Sequence, residues 1–123
     1  RNLPDPLLVP APMSRSRRRE KGGNHAEVLT RHVAEKTHLQ VHKKLLFKNR
    51  TTAPQTTLSQ DKRKQNLSHS FSVNKRALDR EQLTQTPVII IDDVATTCST
   101  FREARRALRE VGIRNVTGIA FAH

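Results

Sequence analysis

Residues 88–100 read Val-Ile-Ile-Ile-Asp-Asp-Val-Ala-Thr-Thr-Cys-Ser-Thr, and this stretch decides the fold. Val88 to Ile91 are four β-branched residues in succession, with no polar residue between them. A strand of this kind buries both faces, as strands do in the middle of a parallel sheet. The stretch therefore predicts the central strand of an α/β fold, ending at two acids.

A helix and another strand follow this run. Thr100 to Val111 carries apolar residues at helical spacing, and Gly112 stands where a helix commonly ends. Val116 to Phe121 is the next apolar run. Strand, helix and strand in this order predict a right-handed crossover between two parallel strands.

The earlier part of the chain holds weaker signals of the same kind. Leu7 to Val9 predicts a strand that Pro10 stops, and Val41 to Phe47 predicts another short strand. Asn24 is placed to cap a helix, with Glu27 in capping-box register. Phe71-Ser72-Val73 alternates like an edge strand. The apolar face of the helix is expected to comprise Ala26, Leu29 and Val33.

Composition bounds the possible partners. The 123 residues suit a single domain, residues 1–123, and the formal charge of +12 favours nucleic acid, phosphorylated small molecules or an anionic membrane surface. The sequence has four Phe and neither Trp nor Tyr, which counts against a dedicated single-strand binder that stacks bases on aromatic rings. The single cysteine, Cys98, excludes an internal disulfide. No apolar run is long enough for a membrane span, so we expect a cytoplasmic protein.

The acids and the hydroxyl residues after them form a candidate site. In an open α/β sheet, ligands bind beyond the carboxyl ends of the strands, where Asp92 and Asp93 are expected. The start of the following helix attracts phosphate through its backbone N–H groups. Acids accept hydrogen bonds from neutral sugar hydroxyls, so the combination suits a ribose 5-phosphate. The hydroxyl donors for the phosphate would be Thr96, Thr97, Ser99 and Thr100.

These residues resemble the signature of type I phosphoribosyltransferases: four apolar residues, two acids and a short Thr-rich loop. Other segments resemble the ComF family of competence-associated phosphoribosyltransferases. They are Val9-Pro10-Ala11-Pro12, the basic cluster of Arg15, Arg17, Arg18, Arg19 and Lys21, Gly22-Gly23-Asn24-His25-Ala26-Glu27, and Arg50-Thr51 with Gln55, Leu58-Ser59, Arg63, Asn66 and Phe71 at similar intervals. The resemblance runs from Leu7 to the end of the chain.

The resemblance implies a parallel-sheet type I phosphoribosyltransferase fold with a flexible hood loop at about residues 48–66. Because the chain begins with Arg1 and lacks the zinc-binding segment of many ComF proteins, we expect an N-terminally truncated piece of a longer parent. It implies a transferase that binds phosphoribosyl pyrophosphate with Mg²⁺ held through the substrate. Asp92 and Asp93 would be catalytic, and residues 96–100 (including Cys98) would hold the 5-phosphate. Candidates for the pyrophosphate and hood contacts are Arg15, Arg19, Arg50 and Gln55.

Cys98 departs from the family pattern, which usually has glycine there. Glycine lets the backbone wrap closely on phosphate, so cysteine predicts reduced affinity and leaves catalysis open. Two functions follow from the resemblance. One is a phosphoribosyltransferase (a glycosyltransferase of the pentosyl class) that binds phosphoribosyl pyrophosphate. The other is a non-catalytic accessory of competence and DNA uptake, which binds DNA or a helicase partner through its basic surface.

Overall fold

The computed structural model describes residues 5–12, 24–49, 70–81, 83–94 and 99–122. Strands and helices alternate along the chain, which gives a mixed α/β fold as the sequence predicts. In order they are β1 (Leu7–Pro10), α1 (His25–Thr37), β2 (Leu46–Lys48), β3 (Phe71–Val73), α2 (Lys75–Glu81), a 3₁₀ turn (Leu83–Gln85), β4 (Val88–Val94), α3 (Ser99–Glu110) and β5 (Val116–Ala122). No helix within the described ranges has the length and apolar character that crossing a membrane requires.

The main sheet is parallel and has the order β1-β4-β5. Leu7 is in register with Val88, and Val88 with Val116, so β4 is paired on both sides. Val88, Ile90 and Ile91 are at most 1 % exposed. The prediction of a central strand with both faces buried is confirmed, because the β-branched side chains meet protein above and below the sheet.

The two long helices pack on this sheet from opposite faces. Alternate side chains of a strand point to opposite faces. Ile90 shares a face with Gly118 of β5, whose α-carbon lies under the ring of Phe101 in α3. Asp93 points to the other face, and its carboxylate lies near His25 at the start of α1. Helices α3 and α1 therefore lie on opposite faces of the sheet.

The predicted helix at Thr100–Val111 agrees with α3 (Ser99–Glu110) to within a residue at each end. Helix α3 buries Ala104, Ala107 and Leu108 as expected. Its end is a Schellman motif, in which the Ile113 N–H donates to the Leu108 carbonyl (3.0 Å) and Gly112 takes φ +93°. That φ is accessible to glycine at little cost, so the glycine marks the helix end for a physical reason.

Helix α1 buries a face that matches the predicted one only in part. Ala26 and Thr30 are its buried residues, whereas Leu29 and Val33 are only partly buried. Thr30 enters the interior because its hydroxyl donates to the Ala26 carbonyl at 2.6 Å, which satisfies the polar group within the helix. The apolar pattern alone predicts the position of the helix in the sequence correctly, but the predicted buried face is rotated relative to the observed one.

The predicted strand at Val41 to Phe47 is two separate pairings. Val41 forms an isolated parallel bridge with Leu8 on the outer side of β1, through the Gln40 carbonyl and the His42 N–H. After a turn, β2 pairs antiparallel with β3, with Leu46 opposite Val73. The predicted short strand is present, but it begins only at Leu46, because the turn at residues 43–44 separates it from the bridge at Val41.

Side chains of helix α3 also bind β3, the second strand of this antiparallel pair. The Phe71 N–H donates to Oε2 of Glu103 (2.9 Å), and Nη2 of Arg106 donates to the Phe71 carbonyl (2.9 Å). Arg106 also donates to Glu103, whose side chain is only 8 % exposed, and to Glu110. These hydrogen bonds, the one to Glu103 foremost, raise the pKa of the Arg106 guanidinium. Two side chains thus take the place of a neighbouring strand at Phe71.

Removing the Glu103 carboxylate tests this clamp. Glu103→Ala leaves the Phe71 N–H without its acceptor, and we expect a loss of about 1–3 kcal/mol in the free energy of unfolding, measured by urea denaturation. Glu110→Ala is the matched control, because Glu110 binds the same guanidinium from an exposed position and should cost about 0.5 kcal/mol or less. Equal losses in the two variants would show that the clamp contributes only a surface ion pair.

Gly118 tests the packing of α3 on β5. A β-carbon at this position would lie 2.6 Å from Cδ1 of Phe101, so Gly118→Ala should destabilise the fold by about 1–3 kcal/mol. In a Phe101→Ala background the added methyl group meets no ring, and the same substitution should be neutral or slightly stabilising. A double-mutant cycle of unfolding free energies measures this coupling, and additive effects would contradict the close approach.

Candidate functional site

The chain leaves β1 and β4 in opposite directions across the sheet. After β1 it passes through α1 to Gln40–His42, which pair with the outer side of β1, and after β4 it passes through α3 to β5 on the other side. The spatial order is thus Val41, β1, β4 and β5. The carboxyl ends of β1 and β4 therefore flank a topological switch point, the crevice where open α/β sheets bind ligands.

Asp92 and Asp93 lie at this crevice. Pairing between β1 and β4 ends at Pro10 and Ile91, and the Ala11 N–H donates to the Ile91 carbonyl (2.8 Å). On the other side Asp92 stays in register with Ala120 of β5. Both acids are partly buried, and the Asp93 N–H donates to Oδ1 of Asp92 at 2.9 Å. That hydrogen bond orients the Asp92 carboxylate at the end of the strand.

Asn24 joins the end of β1 to the start of α1. It is 7 % exposed, its Oδ1 accepts from the Ala26 N–H (2.9 Å), and its Nδ2 donates to the Ala11 carbonyl (3.3 Å). The predicted cap is confirmed, and the amide does more than cap. Its carbonyl oxygen serves the helix while its nitrogen binds the backbone that leaves β1, so the first turn of α1 is fixed at the crevice.

His25 is the residue that this arrangement adds to the site. Its Nδ1 lies 3.6 Å from Oδ2 of Asp93, with the histidine half exposed and the Asp93 side chain 19 % exposed. The sequence identified His25 only as a member of the ComF-like segment Gly22-Gly23-Asn24-His25-Ala26-Glu27. The signal that could have joined the two residues is topological: a helix after β1 and the end of β4 meet at one edge.

The structure places only part of the predicted site. Asp92 and Asp93 are together at the strand end, and Ser99 and Thr100 open α3 after a connection of four residues. Thr100 is partly buried. The other candidates lie outside the described residues: Thr96, Thr97, Cys98, Arg15, Arg19, Arg50 and Gln55. The hood loop at residues 48–66 is outside them from residue 50 onward.

The donor set at the crevice suits a hard cation that arrives with its ligand. Within the described ranges no three His, Cys, Asp or Glu residues cluster in a way that could hold a metal ion. Two carboxylates do stand at the strand end, and Mg²⁺ is commonly held by one or two carboxylates, water and substrate phosphates. Asp92 and Asp93 are thus the described residues that could hold such a cation together with its ligand.

The chemistry available at the crevice is recognition of a polar, neutral group beside an anion. Asp92 and Asp93 supply acceptors for hydroxyl groups, whereas a phosphate placed against them would be repelled. The first turns of α1 and α3 supply the positive ends of helix dipoles nearby. A ligand that carries a diol and a phosphate matches both features.

Comparison with curated proteins finds homologues over most of the chain. Competence protein F of Haemophilus influenzae is 28 % identical over 114 residues, which cover 93 % of this chain and 48 % of that protein. The proteins named DNA utilization protein YhgH of Shigella flexneri and Escherichia coli K12 are 30 % and 31 % identical, covering 93 % and 89 % of this chain and 47 % and 45 % of theirs. The similarity noted in the sequence is therefore confirmed at the level of homology. The chain spans about half the length of these relatives, and no protein-family model matches it.

Asn24 allows a test of how the crevice is built. Asn24→Ala removes both the helix cap and the hydrogen bond to Ala11, and we expect a loss of about 1–2 kcal/mol in unfolding free energy. Asn24→Ser keeps an oxygen for the cap and should lose less. Chemical denaturation measures both variants, and an Asn24→Ala protein as stable as the parent would contradict the role given to the amide.

Proposed function

We propose that this homologue of Competence protein F binds phosphoribosyl pyrophosphate with Mg²⁺ at the crevice between β1 and β4, and transfers or recognises the phosphoribosyl group. The parallel sheet would then be that of a type I phosphoribosyltransferase. The observation that carries the proposal is the pair Asp92-Asp93 at the carboxyl end of the central strand, beside a topological switch point. The ComF resemblance of the sequence supports the same assignment.

In this proposal each part of the ligand meets a different group of residues. Asp92 and Asp93 accept hydrogen bonds from the ribose hydroxyls, and the orientation of Asp92 by the Asp93 N–H prepares one of these acceptors. The 5-phosphate binds the loop of Thr96, Thr97, Cys98, Ser99 and Thr100, at the start of α3. Arg15, Arg19, Arg50 and Gln55 are the candidates for contacts with the pyrophosphate or from the hood.

His25 has a supporting role in the proposal. A histidine beside Asp93 restricts the directions in which that carboxylate can point, at a distance of 3.6 Å. Asn24 fixes the backbone from which His25 extends. The ribose would thus meet a carboxylate pair whose geometry is set before binding, which lowers the entropy lost on ligand association.

In the proposed reaction the protein mainly positions the ligand and contributes little covalent chemistry of its own. Bond breaking at the anomeric carbon produces an oxocarbenium-like state, which the nearby carboxylates stabilise electrostatically while they hold the ribose. Arginines that bind the departing pyrophosphate hold its oxygens in two-point hydrogen bonds. When bound, Mg²⁺ neutralises charge on the pyrophosphate. A hood that covers the ligand would exclude water.

A second function is favoured by the names of the relatives, which refer to competence and to DNA utilization. We propose that the chain acts as an accessory in DNA uptake, through its basic surface or through a helicase partner. The two functions do not exclude each other. The net charge of +12 supports the second function only as an attraction for polyanions.

Calorimetry tests the first function. Titrating phosphoribosyl pyrophosphate into the protein with Mg²⁺ should give a saturable heat that disappears in Asp92→Asn with Asp93→Asn, because each amide lacks the negative charge and one of the two acceptor oxygens that would bind the ribose diol. The matched control is Asp5→Asn with Glu35→Gln, which removes the same charge from exposed positions before β1 and in the last turn of α1. No heat with the parent protein, or equal losses in both variants, would overturn the proposal.

A further inference from the structure

Helix α3 presents a continuous row of exposed cations. Arg102, Arg105 and Arg109 are all exposed and stand at positions i, i+3 and i+7, so they share one side of the helix. We call these three residues the arginine face. Together with Arg106 and Glu110 they line an open groove of about 480 Å³. With a rise of ~1.5 Å per residue, the row is about 10 Å long.

The acidic residues of α3 do not balance this row. The helix contains two acids, Glu103 and Glu110, and Arg106 binds both of them. The remaining three arginines thus give the helix an excess of positive charge on its outer side. Helix α1 differs, because Arg31 and Lys36 share it with Glu27 and Glu35, and the formal charges of these four residues cancel.

Resting on the second function proposed above, we propose that the arginine face binds the phosphate backbone of duplex DNA without regard to base sequence. Guanidinium groups match phosphate oxygens with two parallel hydrogen bonds, which gives arginine an advantage over lysine at such a surface. Each strand of a duplex carries one phosphate per ~3.4 Å of helix axis. A row of about 10 Å laid along that axis therefore spans about three phosphates of one strand, one for each arginine.

The surroundings of the arginine face favour a duplex over the other polyanions. The exposed large apolar residues in the described ranges are Val28, Phe47, Ile119 and Phe121, and α3 carries none of them. A protein interface usually has an aromatic or aliphatic anchor, and a membrane-surface helix inserts apolar side chains. A single-strand groove stacks bases on aromatic rings. Phe101, the aromatic residue of α3, packs over Gly118 instead.

Fluorescence anisotropy with a labelled duplex oligonucleotide tests this surface. The parent protein should bind with an affinity that falls steeply with salt. The variant Arg102→Gln, Arg105→Gln, Arg109→Gln should bind about tenfold or more weakly, and the slope of log affinity against log salt should fall by about 3, or about 1 per lost phosphate contact. Circular dichroism should show an unchanged fold, because all three side chains are exposed and the hydrogen bond from Arg105 to the Val116 carbonyl (3.4 Å) lies at the surface.

The control variant removes the same number of charges elsewhere. Arg31→Gln, Lys36→Gln, Lys44→Gln changes three exposed cations outside α3 and should reduce the slope by less than 1. If the control weakens binding as much as the arginine-face variant does, the attraction is spread over the whole surface and the proposal is wrong. Unchanged affinity and slope in the arginine-face variant would equally overturn it.

Two competitors identify the class of ligand. An unlabelled single strand of the same length should displace the duplex less effectively than an unlabelled duplex does, and polyglutamate of equal charge should compete weakly. A better single-strand competitor, or polyglutamate as effective as DNA, would overturn the duplex assignment. Asp92→Asn with Asp93→Asn should leave DNA binding intact, and the arginine-face variant should still bind phosphoribosyl pyrophosphate, so either function can fail alone.

Discussion

Burial of β4 on both faces is the constraint from which the rest of the described structure follows. A run of four β-branched residues cannot face water on either side without a large hydrophobic cost. A helix must therefore cover each face of the strand. Because the buried backbone cannot bind water, neighbouring strands must also pair with both of its edges. Where this apolar run ends, at Asp92, polar groups can again reach solvent. The same constraint thus sets the position of the sheet, of both helices and of the acidic pair.

The antiparallel pair of β2 and β3 lies outside this sheet and depends on a different interaction. Its outer backbone groups at Phe71 would lack partners if α3 offered only apolar side chains. Glu103 and Arg106 supply an acceptor and a donor from one helix turn, and their mutual hydrogen bonds hold both in place. Glu103 can be buried because three donor atoms, the Phe71 N–H and two nitrogens of Arg106, compensate its charge.

Local patterns in the sequence were enough to predict the central strand, α3, its glycine end and the cap at Asn24. Each depends on residues close together in the chain. The contacts of the crevice were not predictable in this way, since His25 and Asp93 are brought together by the topology of the sheet. The same holds for the Glu103 carboxylate and the Phe71 N–H, which are 32 residues apart.

Helix α2 was missed for a further reason. Lys75–Glu81 is short and mostly charged, so its apolar periodicity is weak. Burial of Ala77 and an Asn74 side chain that accepts from the Arg76 N–H (3.2 Å) support it instead. The candidate residues at 15, 19, 50, 55 and 96–98 stay predictions. They come from resemblance and from the chemistry of Arg and Thr.

Helix α3 has three roles, and the helical period places the residues for each role on a different side. Its twelve residues include three rows at the spacing i, i+3 and i+7: Phe101, Ala104 and Leu108; Glu103, Arg106 and Glu110; and Arg102, Arg105 and Arg109. The first row packs on the sheet, the second holds the antiparallel pair, and the third faces solvent. Successive residues of a helix are about 100° apart, so neighbouring rows point in different directions. An arginine can therefore be exchanged on the outer row without disturbing the packing or the clamp, whereas insertion of one residue would exchange all three roles.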